Sequence, residues 1–212
     1  EVSADETGVT IREFRASMPG QTTASFSGRL EGAAPHASFA GRIDLQSRTL
    51  RDFLTWLSPD LASLAEGAWT GSRGDLALSG AVEVESGRIA LHDADVTLDD
   101  TKGRLGLDYK DGKRPSIDVV LTADAFDPSR YVPTATLPSL ERLKAVAAAA
   151  DVSLSAQFDS LALNGVTAKS VAIDVASRID GFDVKRFDLG DVGGGRMSAT
   201  GLVALPADGI EG

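Results

Sequence analysis

The sequence predicts a mainly β protein, in which a curled antiparallel sheet forms either an open groove or a sandwich and carries two or three short α-helices. Apolar and polar residues alternate in stretch after stretch, which is the period of a half-buried strand. The segment S-F-x-G-R occurs at 25–29 and again at 38–42, which indicates a repeated strand unit. Only 6% of the residues are aromatic, so these strands carry small and medium side chains.

Residues 1–48 are predicted to be strands, at 9–13, 23–32 and 36–47. Val9 and Ile11 begin the first strand, and we expect Glu13 to continue their alternation. Each copy of the repeated unit has a glycine near its middle, at Gly28 and Gly41. Glycine inside a strand marks a bulge, a bend or a close approach of two backbones.

A helical insert is predicted at 49–67. Thr49 is placed as its N-cap, and Pro59 divides it into two short pieces. The apolar residues at helical spacing are Leu50, Phe53, Leu54, Trp56, Leu57, Leu61 and Leu64.

Residues 68–132 are predicted to form a β-meander. Even-numbered residues from Leu76 to Val84 share one face, but Ile89 and Leu91 are odd-numbered while Val96 and Leu98 are even-numbered. A phase change must therefore lie within 92–95. Turns are predicted at 85–87, 99–103 and 110–115, and further strands around 105–109 and 117–123.

The last part of the chain is predicted to be a helix at 137–150, capped by Ser139, followed by a second β-meander over 151–212. Its strands are expected at 151–163, 166–178, 181–190 and 195–205. We expect residues 1–212 to form a single repetitive β domain.

Composition excludes several classes of function. The formal charge is −10, and the 21 basic residues are scattered singly, so nucleic acid is not an expected partner. No cysteine is present for a disulfide, a thiolate metal site or a nucleophile. The longest apolar tract, at 145–150, is far shorter than the roughly 20 residues of a membrane-spanning helix.

Few residues suggest chemistry. His92 lies beside Asp93 and Asp95, but no nucleophile motif or second histidine accompanies it, which indicates an exposed turn histidine. The Gly-rich stretch 191–197 lacks the Lys-Ser/Thr of a phosphate loop and is typical of a turn. We expect no catalytic, cofactor or metal site and no enzymatic activity, although the sequence leaves open a calcium site or a glycosidase carboxylate pair among the acidic residues Asp93, Asp95, Asp99, Asp100, Asp108 and Asp111.

The aliphatic stripes leave two alternatives open. In a closed sandwich they are core, and the domain is structural or binds other proteins. In a curled open sheet they line an apolar groove suited to acyl chains, because each buried CH₂ contributes about 0.8 kcal/mol. The candidate groove residues are Leu76, Leu78, Val82, Val84, Leu105, Leu107, Val119 and Leu121.

Residues 50–132 carry an ordered series of motifs. A helix with L-x-x-F-L precedes the strand motif L-x-L-S-G at 76–80, and the acidic segment 95–109 follows. G-x-R-P-x-I then occupies 112–117, and L-x-A-D-x-F-D-x-x-x-Y occupies 121–131. In this order the motifs resemble the AsmA family of bacterial envelope proteins, relatives of TamB and YhdP. Residues 152–203, with their Gly-Gly turn and final short strand, are similar to a later part of that family's pattern.

The resemblance implies a β-sheet curled into a trough and located in the periplasm. In that family an N-terminal inner-membrane helix anchors the protein, so this sequence is expected to be a segment of a longer polypeptide. The implied role is phospholipid transport between membranes or support of outer-membrane assembly. Phospholipid acyl chains and other envelope proteins are the implied partners, and no catalytic motif is implied.

Overall fold

The computed structural model describes residues 2–5, 8–33, 35–57, 74–131, 145, 147–163 and 165–205, and these form one open twelve-stranded sheet. The predicted mainly β fold is confirmed. The strands are β1 (Val2–Asp5), β2 (Gly8–Met18), β3 (Thr22–Glu31), β4 (Ser38–Ser47), β5 (Leu76–Glu85), β6 (Arg88–Leu98), β7 (Thr101–Lys110), β8 (Ser116–Phe126), β9 (Asp151–Leu163), β10 (Val166–Arg178), β11 (Gly181–Val192) and β12 (Gly195–Ala204).

The strands lie side by side in the order of the chain, with β1 and β12 at the two edges. The pairings are antiparallel except for one, because β8 and β9 run parallel from Ser116 opposite Asp151 to Phe126 opposite Leu161. The prediction of an antiparallel sheet is therefore wrong at this seam. The connection over 127–150 leaves β8 at one end of the strands and enters β9 at the other, as a parallel pair requires.

Among the described residues, helical structure occurs only in the connections between strands. α1 spans Leu50–Leu57, and the carbonyl of the preceding Thr49 accepts hydrogen bonds from the N–H groups of Asp52 and Phe53. Thr49 itself donates to the carbonyl of Gly20 in the β2–β3 turn, which fixes α1 at one end of the strands. We call this the α1 end, and the opposite one the distal end.

Two predicted helices are seen only in part. The second half of the predicted insert, 58–67, lies outside the described residues. Of the predicted helix at 137–150, residues 145 and 147–149 are helical, and the others before 150 lie outside the described residues. A single 3₁₀ turn, Pro128–Arg130, begins the β8–β9 connection. No helix in the described part of the chain has the length and hydropathy needed to cross a membrane.

Bulges occur in three strands at the same height. Pairing shifts by one residue between Ile11 and Phe14 in β2, between Leu91 and Ala94 in β6, and after Val184 in β11. The β6 bulge confirms the predicted phase change, and Asp93 there has φ 40°. Because a bulge bends and twists its strand, a line of bulges at one height bends the whole sheet.

Glycine in the repeated unit permits a close approach of two strands. Gly28 in β3 lies directly opposite Gly41 in β4, and the ring of Phe39 covers both. A Cβ built on Gly28 would lie 2.4 Å from the carbonyl oxygen of Ala40, and one built on Gly41 would lie 2.2 Å from that of Ser27. The repeat therefore places two glycines where neither position has room for a side chain.

Candidate functional site

The apolar side chains of the sheet form continuous rows on a single face. Cross-strand partners point to the same face, so the pairing registers can be followed from one edge of the sheet to the other. The central row holds only aliphatic residues and glycine, and it runs through Val2, Ile11, Gly28, Gly41, Val82, Leu91, Leu107, Val119, Leu154, Val175, Val184 and Gly201. At about 4.8 Å per strand, this row is about 50 Å long.

Two further rows flank the central row toward the α1 end. The first runs from Phe14 to Ala199, and the second from Ala16 to Met197. Members of the first include Phe26, Ile43, Ala94, Leu105, Leu121, Ala156, Ile173 and Phe187. We call the surface made by these rows, by the row distal to the central one and by the pair Leu76 and Leu98 next to the α1 end the apolar face.

The eight predicted groove residues all lie on the apolar face. Leu105 is opposite Leu121, and Leu107 is opposite Val119, so β7 and β8 contribute one contiguous patch. The four residues of β5 reach that patch through β6, because Val82 pairs with Leu91 and Leu91 pairs with Leu107. Seven of the eight are half-buried and Val84 is exposed.

The prediction missed other members of the apolar face. Ile89, Leu91, Ala94, Val96 and Leu98 of β6 belong to it, although their numbering changes phase. The phase change in the sequence indicated this, because one extra residue at a bulge brings the odd-numbered residues before it and the even-numbered residues after it to the same face. In β2, Glu13 lies at the bulge and is exposed, so our expectation that it continues the alternation is wrong; Phe14 does so instead.

One part of the apolar face is closed. We call it the sealed cluster: Ala156, Phe158, Leu161, Ala168, Val171 and Leu189, from β9, β10 and β11 near the α1 end. Val171 is 2% exposed and Phe158 is 9% exposed. Leu121, Ala123 and Phe126 of β8 pack against it from across the parallel seam. These side chains have the contacts of an ordinary protein core.

Another part of the apolar face is open. At the distal end, Leu30, Val84 and Ile89 are 37%, 37% and 43% exposed, and we call these three residues the open rim. They belong to one row, because Leu30 pairs with Phe39, Phe39 with Val84 and Val84 with Ile89. Within β9 the same gradient appears, since Leu154 toward the distal end is 37% exposed while Ala156 is buried.

Aromatic stacking and a hydrogen bond close the α1 end near β8. Phe126 stacks on Tyr131 with ring centroids 5.6 Å apart, and on Phe158 at 5.9 Å. The Tyr131 hydroxyl donates to Asp99 Oδ2 at 2.7 Å, and Asp99 Oδ1 accepts from the Asp75 N–H at 2.9 Å. Burial, with the Asp99 hydrogen bond as a second cause, raises the pKa of Tyr131. Through Asp99, Tyr131 links the start of the β8–β9 connection to the β6–β7 turn and to Asp75, the residue just before β5.

The other end of the same connection is held by Arg114, at the distal end. Arg114 donates to Asp151 Oδ1 at 2.6 Å and to the carbonyls of Ala147, Ala148 and Ala150 at 2.6–3.0 Å. A guanidinium satisfies several carbonyls at once where a helix ends, and there it also complements the helix dipole. The two described ends of the β8–β9 connection, 127–131 and 147–150, are therefore fixed to the sheet.

The reverse side of the sheet is polar. Arg88 of β6 donates through Nε and Nη2 to both carboxylate oxygens of Asp108 in β7, at 2.6–3.2 Å. The hydrogen bond from Arg88 lowers the pKa of Asp108. Ser79 of β5 links Arg42 and Asp44 of β4. Charged and hydroxyl side chains thus connect neighbouring strands on this side.

The residues considered for chemistry are dispersed. His92 lies within β6 rather than in a turn, so that expectation is wrong; it is exposed, and its Nε2 is 3.4 Å from Glu83 Oε2. The acidic residues have separate local partners: Asp95 with Arg104, Asp99 with Tyr131, Asp100 with Arg130 and Asp108 with Arg88. Within the described ranges, no group of three or more His, Asp or Glu is arranged to hold a metal ion.

Two remaining features lie at the α1 end of the strands. The Gly-rich stretch is the β11–β12 turn, where Gly193 and Gly194 have φ 60° and 88°, as predicted. A depression of about 420 Å³ at the α1 end is lined mainly by polar residues of β3 to β6 and their turns, including Thr23, Gln46 and Thr97.

Comparison of the chain with protein-family models, with curated proteins and with solved structures gives no significant match in any of the three.

Proposed function

We propose that this chain is a periplasmic segment of an AsmA-like envelope protein whose apolar face binds phospholipid acyl chains. The proposed role is non-enzymatic: movement of phospholipid between the inner and outer membranes, or support of outer-membrane assembly. The parent protein is proposed to be anchored in the inner membrane. The support comes from the order of motifs in the sequence and from the apolar face of the open sheet.

The observation that carries the proposal is the continuity of the central row. A row of aliphatic side chains about 50 Å long accommodates hydrocarbon along its whole length, since burial stabilises by about 0.8 kcal/mol per CH₂. Folded proteins seldom expose large contiguous apolar patches unless these bind something. The open rim supplies exposed apolar surface at which an acyl chain can enter.

Binding is tested with lipid-free protein. Protein refolded from denaturant without detergent is titrated with a fluorescent fatty acid, and protein purified without detergent is examined by native mass spectrometry for bound phospholipid. We expect saturable binding and a mass increase equal to a phospholipid. Absence of both in folded protein contradicts the proposal.

A matched pair of substitutions locates the binding surface. Val84→Lys places an ammonium group on the open rim, whereas Val120→Lys places one on the polar side of β8, where Val120 is 55% exposed. Loss of contact with about two CH₂ groups weakens binding about tenfold. We therefore expect Val84→Lys to raise Kd about tenfold and Val120→Lys to leave it unchanged. Equal effects would place binding elsewhere.

The sealed cluster favours a second candidate function, a structural or protein-interaction domain. Its side chains are already buried by protein, and a face sealed in this way over its whole length has no place for lipid. The fatty-acid titration separates the two functions, because a scaffold with a sealed face gives no saturable binding while folding normally.

A further inference from the structure

The dipeptide Asp-Gly occurs in two of the turns that the structure describes. Asp111 and Gly112 lie in the β7–β8 turn, whereas Asp180 ends the β10–β11 turn and Gly181 begins β11. Glycine has no Cβ to hinder an approach to its backbone nitrogen, so the carboxyl group of a preceding aspartate can react with that nitrogen. The two identical dipeptides separate the effect of the fold on this reaction from the effect of the sequence.

The β7–β8 turn holds the two reacting groups together. The N–H of Gly112 donates to Asp111 Oδ1 at 2.8 Å, so the nitrogen lies beside the carboxyl group that it would attack. Both residues are exposed. The nearest atom to a Cβ built on Gly112 is the carbonyl oxygen of Arg114, 3.5 Å away. The turn therefore gives the reaction both water and room for the backbone rotation that closes a ring.

The β10–β11 turn holds the same two groups apart. Asp180 Oδ1 accepts from Arg178 Nε at 3.4 Å. The carbonyl of Asp180 accepts from the N–H of Leu205 at 2.8 Å, and Gly181 is buried between its pairing partners Arg178 and Ala204. The peptide unit that joins Asp180 to Gly181 is therefore fixed in the sheet.

A hydrogen bond from the following N–H is not sufficient by itself. Asp124 Oδ1 accepts from the N–H of Ala125 at 2.6 Å, but it also accepts from the N–H of Lys102 in β7 at 3.0 Å. Both Asp124 and Ala125 belong to β8, and Ala125 has a Cβ beside its nitrogen. Asp111 combines the same contact with a following glycine and an exposed turn.

We propose that Asp111 is a site of spontaneous isomerisation to isoaspartate. The nitrogen of Gly112 attacks the carboxyl carbon of Asp111 and forms an N–Cγ bond, while a carboxyl oxygen leaves as water with the amide hydrogen and one further proton. Water then opens the resulting succinimide ring at the α-carbonyl. The main chain now runs through Cγ, and the α-carboxylate is free. Mass and net charge are unchanged, and no oxidant or reductant takes part.

The modification lengthens the main chain where two turns meet. The N–H of Asp111 donates to the carbonyl of Gly87 at 2.6 Å, which joins the β7–β8 turn to the β5–β6 turn. Arg114, in the same turn as Asp111, holds Asp151 and the end of the β8–β9 connection. One additional backbone carbon between these anchors disturbs both, so we expect isomerised protein to melt at a lower temperature. This proposal does not depend on lipid binding, since it rests on the turn alone.

Peptide mapping of aged protein tests the site. Folded protein is incubated for weeks in neutral buffer, and isoaspartate is quantified by electron-transfer fragmentation in the chymotryptic peptide 110–121 and the tryptic peptide 179–185. We expect the isoaspartate fraction to be larger by about tenfold or more at Asp111 than at Asp180, because only the first turn holds the reacting groups in contact. In urea the two fractions should become similar. Equal fractions in folded protein overturn the proposal, and so does a tenfold difference that persists in urea.

Gly112→Ala is the matched variant. Its new Cβ has ordinary room in the folded turn but hinders ring closure, so we expect an isoaspartate fraction at Asp111 about tenfold smaller and an unchanged melting temperature in fresh protein. Aged wild type should melt below aged Gly112→Ala. Asp111→Asn closes the same ring with release of ammonia and should convert faster than the wild type. If Gly112→Ala isomerises as fast as the wild type, the proposed ring closure is wrong.

Discussion

The sealed cluster and the open rim belong to the same face of the same sheet, yet one is a protein core and the other is exposed. Both consist of apolar residues: the sealed cluster is aliphatic apart from Phe158, and the open rim is three aliphatic residues from three strands. The sealed cluster lies near the α1 end, where Phe126 and Tyr131 stack beside Phe158. The open rim lies at the distal end of β3, β5 and β6. Alternation therefore determines which face is apolar, and the connections determine how much of it is covered.

This difference has an energetic meaning. Burial of a large apolar side chain contributes about 1.5–3 kcal/mol, so the sealed cluster stabilises the fold while the open rim contributes much less. Surface that is apolar without stabilising the fold is available to bind a ligand or a partner. If the two regions differ in this way, substitutions in the sealed cluster lower stability more than matched substitutions at exposed positions of the same face.

The largest effect is expected from Phe158→Ala. Truncation of a buried Phe leaves a cavity and lowers the free energy of unfolding by about 3–5 kcal/mol, measured by urea denaturation. Phe14→Ala is the matched control, because Phe14 lies on the same face but is 57% exposed; we expect it to lower that free energy by less than about 1 kcal/mol. Similar losses from both substitutions would show that an exposed position of the face is packed as tightly as the sealed cluster.

A smaller effect is expected from Gly80→Ala. A Cβ on Gly80 would lie 2.5 Å from the Cβ of Ala94, which is fully buried beside the β6 bulge. Overpacking of this kind destabilises by about 1–3 kcal/mol. The control is Gly106→Ala, whose new Cβ would meet Val120 at an ordinary 3.7 Å. We expect this second substitution to leave thermal stability unchanged or raise it, and a loss as large as that of Gly80→Ala would contradict the role of the bulge.

Much of the sheet could be predicted from the sequence because alternation is a local signal. The predicted boundaries of β9 and β10 are those observed, and the predicted phase change is the β6 bulge. The bulges of β2 and β11 have the same signature, since apolar residues switch from Ile11 to Phe14 and from Val184 to Phe187. The candidate groove residues share one face because a period of two fixes the face of each.

The parallel seam and the degree of closure could not be predicted in the same way. Two long connections with helical patterns join strands, yet 48–75 returns to an antiparallel partner while 127–150 crosses to a parallel one. Length and periodicity do not distinguish these outcomes. Contacts such as Tyr131 with Asp99, or Arg114 with Asp151, join residues distant in the sequence. No local pattern specifies such contacts.

Tyr131→Phe tests whether the hydrogen bond at the α1 end helps to maintain closure. Loss of a buried hydrogen bond is expected to lower the free energy of unfolding by about 1–2 kcal/mol. Tyr109→Phe is the control, because Tyr109 is half-buried on the apolar face at the distal end; we expect little change from it. If both variants unfold like the wild type, the stacking on Phe126 alone closes this end.

The same variant has a pH signature. Because the pKa of Tyr131 is raised in the folded protein, the unfolded tyrosine, with a pKa of about 10, loses its proton first. The contribution of Tyr131 is therefore complete below pH 10 and is lost as pH rises toward the folded pKa. We expect wild-type stability to fall above pH 10 and the fall to be shallower in Tyr131→Phe. An identical slope in both proteins would exclude Tyr131 as its source.

The smallest effect is expected from Asp108→Asn, behind the open rim. Arg88 lowers the pKa of Asp108, so this pair stabilises the protein above the ordinary carboxyl pKa of about 4, and its contribution is lost as pH falls through the folded pKa. Asp108→Asn should melt at a lower temperature than the wild type at pH 7, and this difference should disappear in acid. The difference should be smaller than that of Tyr131→Phe, because partly exposed ion pairs contribute little. Asp118→Asn, opposite Asp108 in β8, removes a like charge and should be neutral or stabilising. If Asp108→Asn still melts below the wild type in acid, the distal strands depend on the shape of Asp108 rather than on its charge. The ion pair with Arg88 would then not offset the missing burial at the open rim.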